Sequence, residues 1–340
     1  MRRSIPWLVS VLLLALTAAS QRAAAWDRGR AERFATLPDG AAAPEGIEVD
    51  GDGNVHVTAF GSPSGAGEIY VFDRHGRFAR QVTVAGSSPA LLGLAFQPGT
   101  GALLLVDFGT ARVLAVDPVS GSSTVFMTLP ALPRPELGAG LNDVAFDAAG
   151  NVYVSDSFQG AVWRTGPAGG EATLWVEDAL LRTTGVPPFG ANGLRFDRAG
   201  TALFVANTGS DTVIRVPVAS GGAAGVPEVF ANGVNGADGL LVDEDGNVWV
   251  AANQADEIVV IDPTGRAIAK LGDFEGIARD GAPEGLLFPA SLRFSGKDLL
   301  VTNLSLDLRL FSPTFTGVDS AWCAEVTRQS IARIRLRVPR

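Results

Sequence analysis

Residues 237–252 read ADGLLVDEDGNVWVAA, and residues 141–156 read LNDVAFDAAGNVYVSD. Each has a polar residue, a run of alternating apolar positions, an Asp-x-x-Gly turn and a second alternating run, which is the signature of two short strands joined by a tight turn. Working outward, the segments ANGLRFDRAGTALFVAN (191–207), PEGIEVDGDGNVHV (44–57), LGLAFQPGTGALLLV (92–106) and PASLRFSGKDLLVTN (289–303) fall into the same register. With Glu45, Leu92, Asn142, Asn192, Asp238 and Ala290 taken as equivalent, the steps between copies are 47, 50, 50, 46 and 52 residues. A third and a fourth strand follow within a copy, as at Glu68 to Asp73 and Phe78 to Val84, and at Glu257 to Asp262 and Arg266 to Leu271. Four strands in a repeat of about 50 residues is the length of a propeller blade. The chain is therefore expected to be all-β, a six-bladed β-propeller with four antiparallel strands per blade. The sixth copy lacks a strand after Ile331 to Val338, whereas Ala31 to Leu37 has no blade of its own. That N-terminal strand is expected to close the ring as the outer strand of the last blade.

Composition agrees with this. In 340 residues, 46% hydrophobic content is ample for a core, and Gly 41 with Pro 20 predicts many tight turns. The single Cys323 excludes an intramolecular disulfide and is expected to be buried and inert. Two histidines leave too few nitrogen and sulfur ligands for a structural zinc site, so a metal here would be held by oxygen. Residues 1–25 (MRRSIPWLVSVLLLALTAASQRAAA) read as a secretory signal with an A-x-A-like cleavage site, leaving 26–340 as one domain exported to the periplasm or secreted. Cleavage removes three arginines and no acid, taking the formal charge from −9 to −12. An acidic protein of this kind is not expected to bind nucleic acid and mildly favours cations. Nothing after the signal is apolar enough to span a membrane, and a monomer is expected.

In a four-stranded meander the start of the first strand and the end of the second lie on one face. The long connections Leu129 to Leu141, Glu177 to Ala191, Gly272 to Pro289 and Leu304 to Ser330 gather there, which marks it as the working face. The equivalent innermost positions share strand parity with the apolar residues that follow, so they should point into the interior or the axial channel. Glu45, Asn142, Asn192 and Asp238 are nonetheless oxygen-bearing. Two carboxylates facing each other need a cation. One divalent ion would balance Glu45 and Asp238 while Asn142 and Asn192 add carbonyl oxygens, a set that suits Ca2+. A plainer reading makes them turn residues at strand starts, since Gly46, Gly193 and Gly239 follow three of them. A second ring, Asp107, Asp156, Asn207 and Asn303, ends the second strands and serves either as an outer shell with substrate contacts or as hairpin caps. Asp50-x-Asp52-x-Asn54 opens like a calcium loop but lacks its later residues and reads as a strand turn. There is no G-x-S-x-G, and neither His56 nor His75 is placed for a serine triad. Asn303-Leu304-Ser305 matches a glycosylation sequon.

The combination of Glu45-Gly46, Asn142-Asp143 with the later Ser155-Asp156, Asn192 to Leu194, and D-G-L-x-V-D-x-x-G-N-x-W from Asp238 to Trp249 resembles the regucalcin and gluconolactonase family, also called senescence marker proteins. The resemblance covers essentially the whole mature chain. It implies a six-bladed propeller with one divalent cation at the channel mouth that hydrolyses sugar lactones or related esters. It further implies that Glu45, Asn192 and Asp238 bind the metal, that Asn142 lies beside it as ligand or substrate contact, and that Asp238 acts as base. Many members have a substrate-contacting arginine two residues before the N-D asparagine. Here that place is Gly140, and Arg134 of the same loop is the candidate to reach in. The expected function is thus an exported metal-dependent lactonase or esterase acting on a small molecule. The alternatives are a non-catalytic NHL-like propeller that binds a peptide or glycan on the looped face, and a metal-free lyase or synthase on the same scaffold.

Overall fold

A computed structural model of the chain describes residues 28–315 and 318–336. The signal segment 1–25 lies outside the described residues. Six four-stranded antiparallel sheets are arranged as blades around one axis. Their innermost strands are Ala43–Val49, Leu91–Phe96, Leu141–Phe146, Ala191–Phe196, Ala237–Val242 and Pro289–Ser295.

Burial falls from the axis outward. The second strand Leu103–Asp107 is buried at every position, whereas the outermost strand Phe78–Thr83 buries only Val82. Strands covered on both faces read as near-continuous apolar runs, and edge strands alternate. The core consists of layers between blades, so each blade is stabilised by its neighbours. Leu104, Val106 and Val113 of blade 2 pack with Val144, Val152, Val154 and Trp163 of blade 3. The Asp-x-x-Gly turns are closed by their aspartates: Asp243 Oδ1 accepts from the amides of Asp245 at 3.0 Å and Asn247 at 2.8 Å. Gly246, at φ 82°, supplies the left-handed residue that the turn requires. The calcium-loop-like stretch is another such turn, with Asp50 Oδ1 accepting from the amides of Asp52 and Asn54. His56 is buried, with Nε2 3.0 Å from Asp50 Oδ2, and burial lowers its pKa.

The N-terminal strand Ala31–Thr36 closes the ring. It pairs antiparallel with Ser330–Arg335, from Ala31 opposite Ile334 to Thr36 opposite Ser330, as the outer strand of blade 6. Residues flanking it add anchors: the Leu37 amide donates to Gln329 O at 2.9 Å, and Arg28 Nη2 reaches Glu257 at 2.7 Å in blade 5.

Three features lie outside the expected pattern. Gly170–Glu171 adds a short parallel strand to the outer edge of blade 2, and a small hairpin, Phe274–Ile277 with Pro283–Gly285, occupies the Gly272 to Pro289 connection. The Leu304 to Ser330 connection carries a short helix, Val318–Cys323. Each is too short for a hydrophobic period to show in sequence. Cys323 is buried in a cluster with Leu287, Phe288, Leu304 and Leu308. Asn303 is buried, its amide donating to Gly285 O and Ser330 Oγ, so the sequon is not an accessible acceptor in the folded chain. Among the described residues no helix is long and apolar enough to cross a membrane.

The closing strand joins chain ends about 300 residues apart, so losing it opens the ring rather than trimming an edge. Deletion of residues 26–38 is expected to lower the thermal unfolding temperature sharply, and Leu37→Ala, at a side chain 1% exposed, to cost about 2–5 kcal/mol in denaturant unfolding.

Candidate functional site at the propeller axis

All six innermost strands carry a register shift at the same place: between Pro44 and Ile47, Leu91 and Leu94, Leu141 and Val144, Ala191 and Leu194, Ala237 and Leu240, and Pro289 and Leu292. In blade 3, Leu141 pairs with Asp156 and Val144 with Val154, so one residue is extra on the inner strand. This is a β-bulge, and it re-aims side chains. It corrects the expectation from simple alternation: the bulge breaks parity, so residues 142 and 144 do not share a face merely by being two apart.

The second residue of each bulge abuts the neighbouring blade. A Cβ at Gly46 would lie 2.5 Å from Leu92 O, one at Gly193 2.5 Å from Asp238 O, and one at Gly239 2.6 Å from Ala290 O. Side-chain hydroxyls complete the seam, Thr58 Oγ1 donating to Leu92 O at 2.5 Å and Thr302 Oγ1 to Glu45 O at 2.6 Å. Position 143 is the exception in carrying a carboxylate. Asp143 Oδ2 pairs with Arg195 Nη1 at 2.6 Å and accepts from Leu194 N, and it lies with Arg195 among the residues lining the axis.

The first bulge residues converge. Glu45, Leu92, Asn142, Asn192 and Asp238 line one cavity of about 40 Å³, together with Thr208, Asn253 and an apolar wall. Glu45 and Asp238 are each 5% exposed. Asn253 Nδ2 donates to Asp238 Oδ2 at 3.0 Å, and Asn192 Nδ2 donates to Thr208 Oγ1 at 2.9 Å. Glu45 Oε2 is buried with no hydrogen-bond partner. Burial first, and then the charges of Asp238 and Asp143, push the Glu45 carboxyl well above the usual carboxylate range. Burial also raises Asp238 to about 7, with Asp143 adding to the rise and hydrogen bonds from Asn253 and Asn192 opposing it. Among the described residues no three acidic, histidine or cysteine side chains are placed to hold one metal ion together, so the donor set is two carboxylates and two amides. That set fits a hard divalent cation: it offers oxygen only, it is buried, and it contains an orphaned carboxylate oxygen.

The outer ring lies elsewhere. None of Asp107, Asp156, Asn207 and Asn303 lines the cavity; each ties down a loop. Asp107 accepts from Ser88 N and Oγ and from Thr110 Oγ1. Asp156 accepts from the Gly140 and Gln159 amides and from Trp163 Nε1. Asn207 Nδ2 donates to Leu180 O and Arg182 O, and Asn303 Oδ1 accepts from Leu287 N. Arg134 does not reach in either, because its guanidinium is held by Gln159 O at 2.7 Å and by Glu177.

A sequence model of the SMP-30/Gluconolactonase/LRE-like region matches residues 87–272. The chain belongs to this family. The matched stretch contains Asn142, Asn192 and Asp238 but not Glu45. No curated protein sequence matches the chain. Among solved structures, regucalcin from Agrobacterium tumefaciens, described as a calcium-binding protein, is similar at 18% identity over 91% of this chain and 96% of that one, with a TM-score of 0.58. A gluconolactonase from Xanthomonas campestris aligns at 15% identity over 91% and 96% of the two chains, TM-score 0.60. A virginiamycin B lyase from Staphylococcus aureus aligns at 11% over 91% and 97%, TM-score 0.57. At these identities the likeness is one of fold.

Within this SMP-30/gluconolactonase-like propeller, sequence reasoning did not single out Arg195, Thr208 or Asn253, nor assign Asp143 a place on the axis. The Asn-Asp pair at 142–143, standing where four of the other five copies have a residue followed by glycine and the last has Ala290-Ser291, was the available signal for Asp143.

A carboxylate whose folded pKa is raised stabilises the fold at low pH and loses that contribution as pH climbs through the folded value. For Asp238 the window runs from its ordinary value of 3.8 up to about 7. In chelator-treated protein, the melting temperature of Asp238→Asn minus that of wild type is expected to rise between pH 5 and 7 and then level off.

Proposed function

We propose that the protein is an exported, metal-dependent hydrolase of a small lactone or related ester, with one divalent cation, Ca2+, held by Glu45, Asn142, Asn192 and Asp238. The observation that carries this reading is the partnerless Glu45 Oε2, buried on the same cavity as Asp238. Two buried carboxylates on one small cavity resist ionising together without a counter-charge. Membership of a gluconolactonase-containing family and the fold shared with a calcium-binding regucalcin support it. Export rests on the signal-like residues 1–25.

When bound, the cation would polarise the substrate carbonyl and acidify a water. The rest falls to the chain. Asp238, oriented by the amide of Asn253, takes the proton of the attacking water. The proton is then delivered to the departing ring or ester oxygen, giving a hydroxy acid or an acid and an alcohol. Asn142 and Asn192 supply uncharged oxygens, which keep the site from repelling a carboxylate product.

A calorimetric calcium titration of chelator-stripped protein is expected to show one site, weakened about 100-fold or more by Glu45→Gln. Asp238→Asn is expected to lower kcat for lactone hydrolysis by about 100-fold or more, and chelation to abolish it. Wild-type turnover that survives chelation would overturn the metal-dependent reading. One calcium site without turnover on a broad ester panel would favour the binding propeller.

A further inference from the structure

The wall above the oxygen floor is aromatic. Phe60 meets Phe108 edge-on at 6.0 Å between ring centroids; Phe108 meets Phe158 at 5.9 Å, Phe158 meets Phe189 at 5.6 Å, and Phe189 meets Phe311 at 5.6 Å. These five rings come from blades 1, 2 and 3, from the connection between blades 3 and 4, and from the long connection of blade 6. They form one arc around the mouth. Phe60, Phe189 and Phe311 line the cavity itself, beside Leu92, Leu304 and Leu306. Phe311 remains 39% exposed, so the arc is not sealed beneath other chain.

The wall has few polar groups to offer, chiefly the buried and partnerless Asn253 Oδ1. Thr208 Oγ1 donates to Ala237 O at 2.7 Å and Asn253 Nδ2 to Asp238. The loop that would bring an arginine to the substrate brings none. A Cβ at Gly140 would lie 2.7 Å from the Phe158 ring, so the aromatic arc occupies the space a side chain at 140 would take, and Arg134 is committed to Gln159 and Glu177. A polyhydroxylated lactone would set most of its hydroxyls against phenylalanine edges, with Asn253 Oδ1 too few for all of them, whereas an aryl or alkyl group would replace water there at no such cost.

We propose that the site takes a lactone or ester bearing an apolar ring or alkyl chain rather than a sugar lactone, and that Phe189 and Phe311 select it. This inference rests on the hydrolase reading above, and its test separates the two. Turnover is measured with calcium-supplemented protein on dihydrocoumarin, on γ-lactones from butyrolactone to nonalactone, and on D-glucono-δ-lactone. Dihydrocoumarin is expected to exceed glucono-δ-lactone in kcat/KM by about 100-fold or more, and nonalactone to exceed butyrolactone by about tenfold or more. Phe311→Ala and Phe189→Asn, tested separately, are each expected to cut the dihydrocoumarin to gluconolactone ratio about tenfold. The exposure of Phe311 makes its variant the safer for folding. Equal or better turnover of glucono-δ-lactone would overturn the apolar assignment and leave the hydrolase. If no lactone turns over, binding of the non-hydrolysable lactam 3,4-dihydroquinolin-2-one is measured by calorimetry. Binding that Phe311→Ala weakens would uphold the apolar site and sink the hydrolase reading, whereas absence of binding would sink both.

Discussion

Everything at the working end of this molecule depends on how closely six strands approach one axis. At Gly46, Gly193 and Gly239 the neighbouring blade's carbonyl occupies the space a Cβ would need. That contact is available only because each inner strand carries one extra residue just before it. The bulge bends the strand inward and aims the preceding side chain at the axis, while the glycine lets the next blade close against it. A ring made this way has no freedom to move one ligand without moving its neighbours. Rigidity of that kind is what a preformed cation site needs, because ordering the donors has been done by folding.

The charge on the axis follows the same geometry. Glu45 and Asp238 share the cavity, and Asp143, one residue further along its bulge, adds a third carboxylate that Arg195 neutralises. Taken as ionised, these four groups leave two negative charges, the amount one divalent cation cancels. Burial would otherwise force protons onto the carboxylates, which is the direction both Glu45 and Asp238 take without a metal. Protons and a bound cation would therefore compete for the same oxygens.

The propeller was legible because its signals are local. An Asp-x-x-Gly turn between alternating runs recurs at nearly constant spacing, and counting strands left a gap in blade 6 that residues 31–37 filled. The equivalence of Glu45, Asn142, Asn192 and Asp238 was legible for the same reason. Their inward direction was expected too, but the bulge that produces it was not, because a bulge leaves the alternation on either side intact and exists only in the pairing with the next strand. Nor could sequence say that Asp107, Asp156, Asn207 and Asn303 face loops rather than ligand. An aspartate that caps amides and one that waits for a substrate are the same residue in a string, and what separates them is whether nearby N–H groups have another acceptor. Arg134 shows the limit most plainly, since its partner Glu177 lies on the outer strand of blade 3, beyond anything the repeat spacing can relate to it.

The aromatic arc was invisible for a further reason: it obeys no repeat. Phe60, Phe108, Phe158, Phe189 and Phe311 occupy unlike positions relative to their blades, and only closure of the ring brings the last of them beside the others. The repeat builds the floor, where six equivalent positions share one bulged geometry. The loops build the wall, where each ring packs on its neighbours across blades and can be exchanged without touching a bulge. On a scaffold divided this way a change of ring at the mouth would leave the carboxylates and amides of the floor in place, so the proposed chemistry and the proposed choice of substrate would be set by separate residues.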